Sequence, residues 1–136
     1  SPLLDVGNFF ELVLFSFFTG NADMHLKNFS LLEKPGQGYA LSPAYDLVPT
    51  ALVNPGDTEE LALTLNAKKR KLAYKDFCAA FENCGLSKRY LDNTLDLFVY
   101  AKPEMLDVLE KSFVSAEYQQ RYRVLIDSRY KQLGLV

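Results

Sequence analysis

Cysteine is scarce in this chain, and Cys78 and Cys84 have no metal-ligand company around them. That argues against a disulfide framework or a zinc cluster, and leaves two buried, reduced thiols of a cytoplasmic protein as the expectation. Charge of one sign is missing as well. With 15 basic and 17 acidic residues the net charge is −2, which gives no electrostatic reason to expect direct nucleic-acid binding. A long hydrophobic run is absent too: Leu12 to Phe18 is too short to span a bilayer and is preceded by Asp5, Asn8 and Glu11, so no membrane attachment is expected. Low-complexity tracts, internal repeats and long linkers are also missing, which argues against disorder and against a second domain. What remains is a chain of 136 residues, 49% hydrophobic and rich in aromatics, enough for one domain with a real core over residues 1–136. It starts at Ser1 and enters an apolar helix at once, which suggests a piece of a longer protein.

Apolar residues nearly all the way round predict a buried core helix over Pro2–Phe18, with Gly7 inside it pointing to close packing and Thr19-Gly20 ending it. Phe29–Glu33 and Tyr39–Ser42 read as a hairpin around the turn-rich run Lys34-Pro35-Gly36-Gln37-Gly38. Glu60–Leu65 reads as a short strand closed by Asn66 and a solvated basic run, Lys68–Lys71. From Tyr74 the pattern is helical. One helix runs to Asn83 and stops at Gly85, Ser87 caps a second, Pro103 starts a third, and Ser115 opens a fourth. Met105, Leu106, Val108, Leu109 and Phe113 are the inward set of the third, and the helical aromatics are expected in the core. The fold class is therefore mainly α (α+β), a helical domain carrying one small sheet with a polar loop at one end.

That loop holds Asp23, the only histidine (His25), Lys27 and Asn28. An aspartate followed by an asparagine at this spacing, with a second aspartate on a returning strand, suits phosphoryl transfer. One carboxylate handles the proton of the attacking hydroxyl, while an amide oxygen and the other carboxylate hold Mg²⁺ at the phosphates. Asn28 and Asp46 lie equally far along the chain from Gln37, so a hairpin folded there sets them side by side. The same residues also fit a plainer reading, an Asx-rich loop whose side chains cap backbone groups, with Asp46 as a turn residue. Apolar neighbours on both sides of Asp46 predict its partial burial.

Gly20-Asn21-Ala22-Asp23-Met24-His25-Leu26-Lys27-Asn28-Phe29-Ser30, followed by Leu41-Ser42-Pro43-Ala44-Tyr45-Asp46-Leu47, resembles the C-terminal lobe of the HipA-type serine/threonine kinases, toxins of bacterial toxin–antitoxin modules. Leu61–Lys69 is similar to a strand and turn those kinases carry before their terminal helices. The resemblance implies a kinase-like helical lobe using ATP and Mg²⁺, with Asp23 as catalytic base and Asn28 and Asp46 as metal ligands. His25, Lys27, Asn28, Tyr45, Asp46 and Leu47 would face the nucleotide. It implies a protein substrate, a HipB-like antitoxin partner and an N-terminal lobe that carries the Gly-rich phosphate loop and strand lysine, neither of which this chain has. Two other functions fit the residues: a small-molecule phosphotransferase of the kinase-like group, and a non-catalytic helical module that binds an antitoxin or other partner.

Overall fold

A computed structural model of the chain describes residues 1–135. The first helix, α1, covers Pro2–Thr19 and ends at Gly20, whose φ of 74° and ψ of 26° is the left-handed geometry a glycine adopts without a Cβ clash. By length and composition α1 could cross a membrane, but Phe10, Val13, Leu14, Phe17 and Phe18 are buried and it serves as the central helix of the core.

The chain then turns through a 3-10 turn, Leu26–Asn28, into the hairpin β1 (Leu31–Lys34) and β2 (Gly38–Leu41). The register pairs Leu31 with Leu41 and Lys34 with Gly38, so the hairpin is centred on Gly36 and not on Gln37. Phe29 does not join the ladder as expected. Its ring packs on Phe9 of α1 at 4.8 Å, and the residues just before it are taken by the 3-10 turn. Continued outward, this register sets Ala44 opposite Asn28, so strand pairing is not what approaches Asp46. The hairpin is fixed to α1 by the Leu41 amide, which donates to Asp5 Oδ1 at 3.3 Å.

A short helix, α2 (Thr50–Val53), follows, then an irregular stretch where the strand over Glu60–Leu65 was expected. Only an isolated bridge, Leu65 to Lys68, forms there. Asn66 and Ala67 have φ of 49° and 61°, which closes the turn too tightly for a ladder, while Leu61, Leu65 and Leu72 reach into the core. The basic run is not wholly solvated: Lys68 Nζ lies 3.1 Å from the carboxylate of buried Asp76.

The helices α3 (Tyr74–Asn83), α4 (Lys88–Glu110) and α5 (Ala116–Gln132) complete the fold. Ser87 Oγ accepts from the Tyr90 amide at 3.0 Å and Ser115 Oγ from the Tyr118 amide at 3.3 Å, the side-chain caps expected of both. Pro103 starts no helix; it lies inside α4. Proline in a helix costs about 3 kcal/mol, but the apolar stripe Leu91, Leu95, Phe98, Leu106 and Leu109 runs through this point, and its burial keeps the helix whole. Val108 and Phe113 point outward, against expectation, as do Tyr100 and Tyr118, because the core sees only one face of α4 and of the start of α5; Tyr90 keeps an exposed edge but turns its ring toward Phe81. The cysteines are free; Cys84 is exposed past the last turn of α3 and Cys78 half-buried, so full burial of the pair does not occur. Gly7 does permit close packing: a Cβ there would collide with the Tyr90 hydroxyl of α4. The molecule is mainly helical, with one two-stranded antiparallel sheet.

Candidate active site

The polar loop takes its direction from the end of α1. The last carbonyls of a helix lack intrahelical donors, and here α5 supplies them. Arg129 Nη1 donates to the Phe17 carbonyl at 2.9 Å and the Tyr122 hydroxyl to the Thr19 carbonyl at 2.7 Å. Burial pushes the Arg129 guanidinium below its ordinary value, with Glu60 acting the other way, and the negative end of the α1 dipole lies against this cation. On the other side α2 holds the loop. The Ala51 amide donates to the Gly20 carbonyl at 2.9 Å, and the Ala22 amide donates to Thr50 Oγ1 at 2.8 Å. A Cβ on Gly20 would stand 2.5 Å from Leu125 Cδ2 and 3.3 Å from the Ala51 Cβ, so the approach of both elements requires glycine.

Within the loop, side chains cap the backbone as an Asx-rich turn does. Buried Asn21 accepts the Asp23 amide on its Oδ1 at 3.0 Å. Buried Asn28 donates its Nδ2 to the Asp23 carbonyl at 2.8 Å, closing the turn from 23 to 28. This fixes which end of the Asn28 amide is spent. Among the described residues nothing donates to its Oδ1, the atom a cation would use. The Asp23 side chain, 58% exposed, stands free of the turn it tops. His25 Nε2 is 4.0 Å from Asp23 Oδ1, too far for a hydrogen bond, and its buried Nδ1 has no partner among the described residues. Lys27 is exposed and makes no ion pair among them.

The second segment reaches this turn by another route than the ladder. The Tyr45 hydroxyl donates to the Lys27 carbonyl at 3.2 Å, which ties the segment that carries Asp46 to the turn that carries Asn28. No hydrogen bond joins Asn28 to Asp46 among the described residues. Asp46 is exposed, not partly buried as expected, and so are Tyr45 and Leu47. The stretch after Pro43 carries no strand pairing and runs over the surface, so its apolar neighbours do not enclose the carboxylate. Asp46 has φ of 54°, a left-handed backbone that costs a non-glycine residue about 1–2 kcal/mol.

Asn21, Thr50, Tyr122 and Arg129 are the residues sequence reasoning missed here. Asn21 stands two before Asp23, the spacing of an Asx turn, and was open to discovery. Thr50, Tyr122 and Arg129 act from remote parts of the chain, and no local pattern signals them.

The architecture is a mainly helical domain with one small sheet, presenting an acid and an amide on one hydrogen-bonded turn and an exposed second acid on the segment that Tyr45 ties to it. The chain belongs to the HipA-like C-terminal domain family, whose model matches residues 2–106. It is 36% identical over 91 residues to the protein named "Putative kinase Y4dM" of Sinorhizobium fredii (strain NBRC 101917 / NGR234), a match covering 66% of this chain and 22% of that protein. Its fold is similar, with a TM-score of 0.83, to a chain of the Shewanella oneidensis MR-1 toxin–antitoxin complex of HipA, HipB and operator DNA. That likeness covers 99% of this chain and 33% of the other at 22% identity, and it is a likeness of fold. The chain thus spans a third or less of the length of these relatives.

Proposed function

We propose that this chain, as a single domain, is the catalytic lobe of a HipA-type serine/threonine protein kinase, with Asp23 as base and Asn28 and Asp46 as the ligands of the Mg²⁺ that accompanies ATP. The observation that carries this reading is the Tyr45–Lys27 hydrogen bond, which draws the Asp46 segment to the Asn28 turn where the sheet register does not. The donor set suits the ion. Mg²⁺ takes oxygen ligands, one or two from protein and the rest from phosphate and water, and the residues offer the free Asn28 Oδ1 and an exposed carboxylate. No group of three His, Cys, Asp or Glu among the described residues would make an all-protein cage, which fits an ion that arrives with the nucleotide.

When bound, Mg²⁺ neutralises charge on the phosphates. The rest is positioning by this chain. The Asp23 carboxylate takes the proton of the acceptor hydroxyl as its oxygen bonds to the γ-phosphorus. The bond from that phosphorus to the β–γ bridging oxygen breaks, and ADP leaves with the electron pair. The Lys27 ammonium stands free to meet the transferring group, and His25, Tyr45 and Leu47 border the nucleotide. A partner lobe supplies the Gly-rich loop and the strand lysine. The HipA–HipB–DNA neighbour supports a HipB-like antitoxin as partner of the whole protein; the balanced charge of this chain supports no direct nucleic-acid contact of its own. The setting is cytoplasmic.

Because a base acts in the transition state, Asp23→Asn in the full-length protein is expected to lower turnover at least about 100-fold while thermal unfolding stays within a degree or two of the parent. Phosphoryl transfer to protein at near wild-type rate would remove Asp23 from the role.

A further inference from the structure

A hollow of about 330 Å³ opens beside the turn, walled by His25, Leu26, Lys27 and Leu63. Leu26 is 71% exposed there, between the proposed base and the proposed metal ligand, where a leucine gains nothing from folding. Leu63 comes from the irregular stretch that was expected to be a strand. It lies two residues from Leu61 and two from Leu65, both buried, so those side chains anchor the stretch while Leu63 is left half-buried at its surface. The anchoring goes deeper. Asp76, 1% exposed, accepts from Asn66 Nδ2 at 2.9 Å, Lys68 Nζ at 3.1 Å and the Ala73 amide at 2.9 Å, which ties the turn at 66–68 to the first turn of α3. Leu63 is thus presented on a braced loop.

Leu63 also lines a second, more enclosed cavity of about 260 Å³ beneath the same stretch, against Phe9 and Phe10 of α1 and Ala80 of α3. One side chain therefore borders both the hollow at the turn and the apolar space below it.

We infer, resting on the kinase reading above, that the hollow is an acceptor subsite: it seats an apolar side chain close in sequence to the serine or threonine that is phosphorylated, with Leu26 as its wall, Leu63 as its floor and Asp76 as a positioning residue. The occupant is a polypeptide segment of the substrate. His25 and Lys27 on its rim lie within four residues of the proposed base, no acidic side chain lines it, and its two leucines offer burial that only an apolar group uses. Fully burying a leucine-sized side chain is worth roughly tenfold or more in affinity, so the subsite discriminates by sequence context and not by the hydroxyl alone.

The test is a position-scanned serine and threonine peptide library, phosphorylated by the full-length protein with Mg²⁺·ATP. The expected result is that leucine or isoleucine at one position near the acceptor raises kcat/KM about tenfold over alanine or aspartate. Leu63→Ala joins the hollow to the cavity below and is expected to move the preference to phenylalanine. Leu26→Glu, at an exposed position that folding does not need, is expected to abolish the apolar preference or turn it to lysine, mainly through KM. Asp76→Asn is expected to blunt the preference while leaving the KM for ATP unchanged. Identical preferences in wild type, Leu63→Ala and Leu26→Glu overturn the subsite. So does a protein that turns over ATP, or phosphorylates a sugar or aminoglycoside, but no peptide. Failure of the kinase reading shows separately: full activity in Asp23→Asn, or transfer to a sugar or aminoglycoside and to no peptide, removes that reading itself, whereas unchanged preferences in a peptide-active protein remove the subsite alone.

Discussion

Asp46 keeps a left-handed backbone at an exposed position, with the neighbouring Tyr45 bonded to Lys27. A glycine would adopt that φ without strain. Asp46→Gly is therefore expected to leave the unfolding temperature unchanged or slightly raised, the relief of about 1 kcal/mol being partly offset by the freer unfolded chain. The same variant is expected to lose Mg²⁺-dependent nucleotide binding. Calorimetry and nucleotide titration on one sample read both effects, and unaltered affinity would show that the strain serves something other than a metal. The candidates at this scale come from the sequence, where Asp23, Asn28 and Asp46 stand out by type and spacing. Their surroundings were not legible there. The exposure of Asp46 and the fixing of the Asn28 amide by the Asp23 carbonyl depend on backbone geometry that no side-chain pattern encodes.

The element most unlike its sequence signal is the stretch over Glu60–Leu72. Weak alternation suggested a strand, but three leucines on a chain that keeps turning into the core made an anchored loop instead. Asp76 braces it. Burial alone would raise the Asp76 carboxyl, yet hydrogen bonds from Asn66, the Ala73 amide and Lys68, with the charge of Lys68, hold it below the ordinary range. A carboxylate depressed on folding stabilises the fold above its unfolded pKa, about 3.9, and loses that contribution as pH falls through the lower folded value. Asp76→Asn is expected to cost about 2 kcal/mol at neutral pH, with the gap to wild type narrowing below about pH 4. Unfolding curves across pH check this; a gap constant from neutral pH to pH 2 would contradict it. The helices were easier to read. Ser87, Ser115 and Gly85 marked their ends because capping is local chemistry, whereas Pro103 misled because the stripe of α4 outweighs a local penalty.

Across the whole molecule, the polar turn proposed as catalytic is held by α5, far along the chain. Tyr122 and Arg129 of α5 cap the carbonyls where α1 gives way to the loop, and Gln132 Nε2 reaches Glu60 at 2.9 Å and the Leu72 carbonyl at 2.8 Å, gripping the loop that carries Leu63. One helix thus steadies both sides of the site. Such long-range ties leave no trace in local sequence. Tyr122→Phe removes a single hydroxyl from the exit of α1. It is expected to cost about 1 kcal/mol of stability and to lower turnover several-fold at unchanged KM for ATP, measured by steady-state kinetics beside a melting curve.

We propose that Asn28 and Asp46, on segments tied by the Tyr45–Lys27 hydrogen bond, together hold the metal of a bound nucleotide. Calorimetric titration of the full-length protein with Mg²⁺·ATP, repeated on Asp46→Ala and with the metal chelated, tests it most directly. The account predicts metal-dependent binding in the wild type, weakened at least about tenfold, or 1.4 kcal/mol, in Asp46→Ala. Binding of equal strength in the variant, or binding indifferent to the metal, would contradict it.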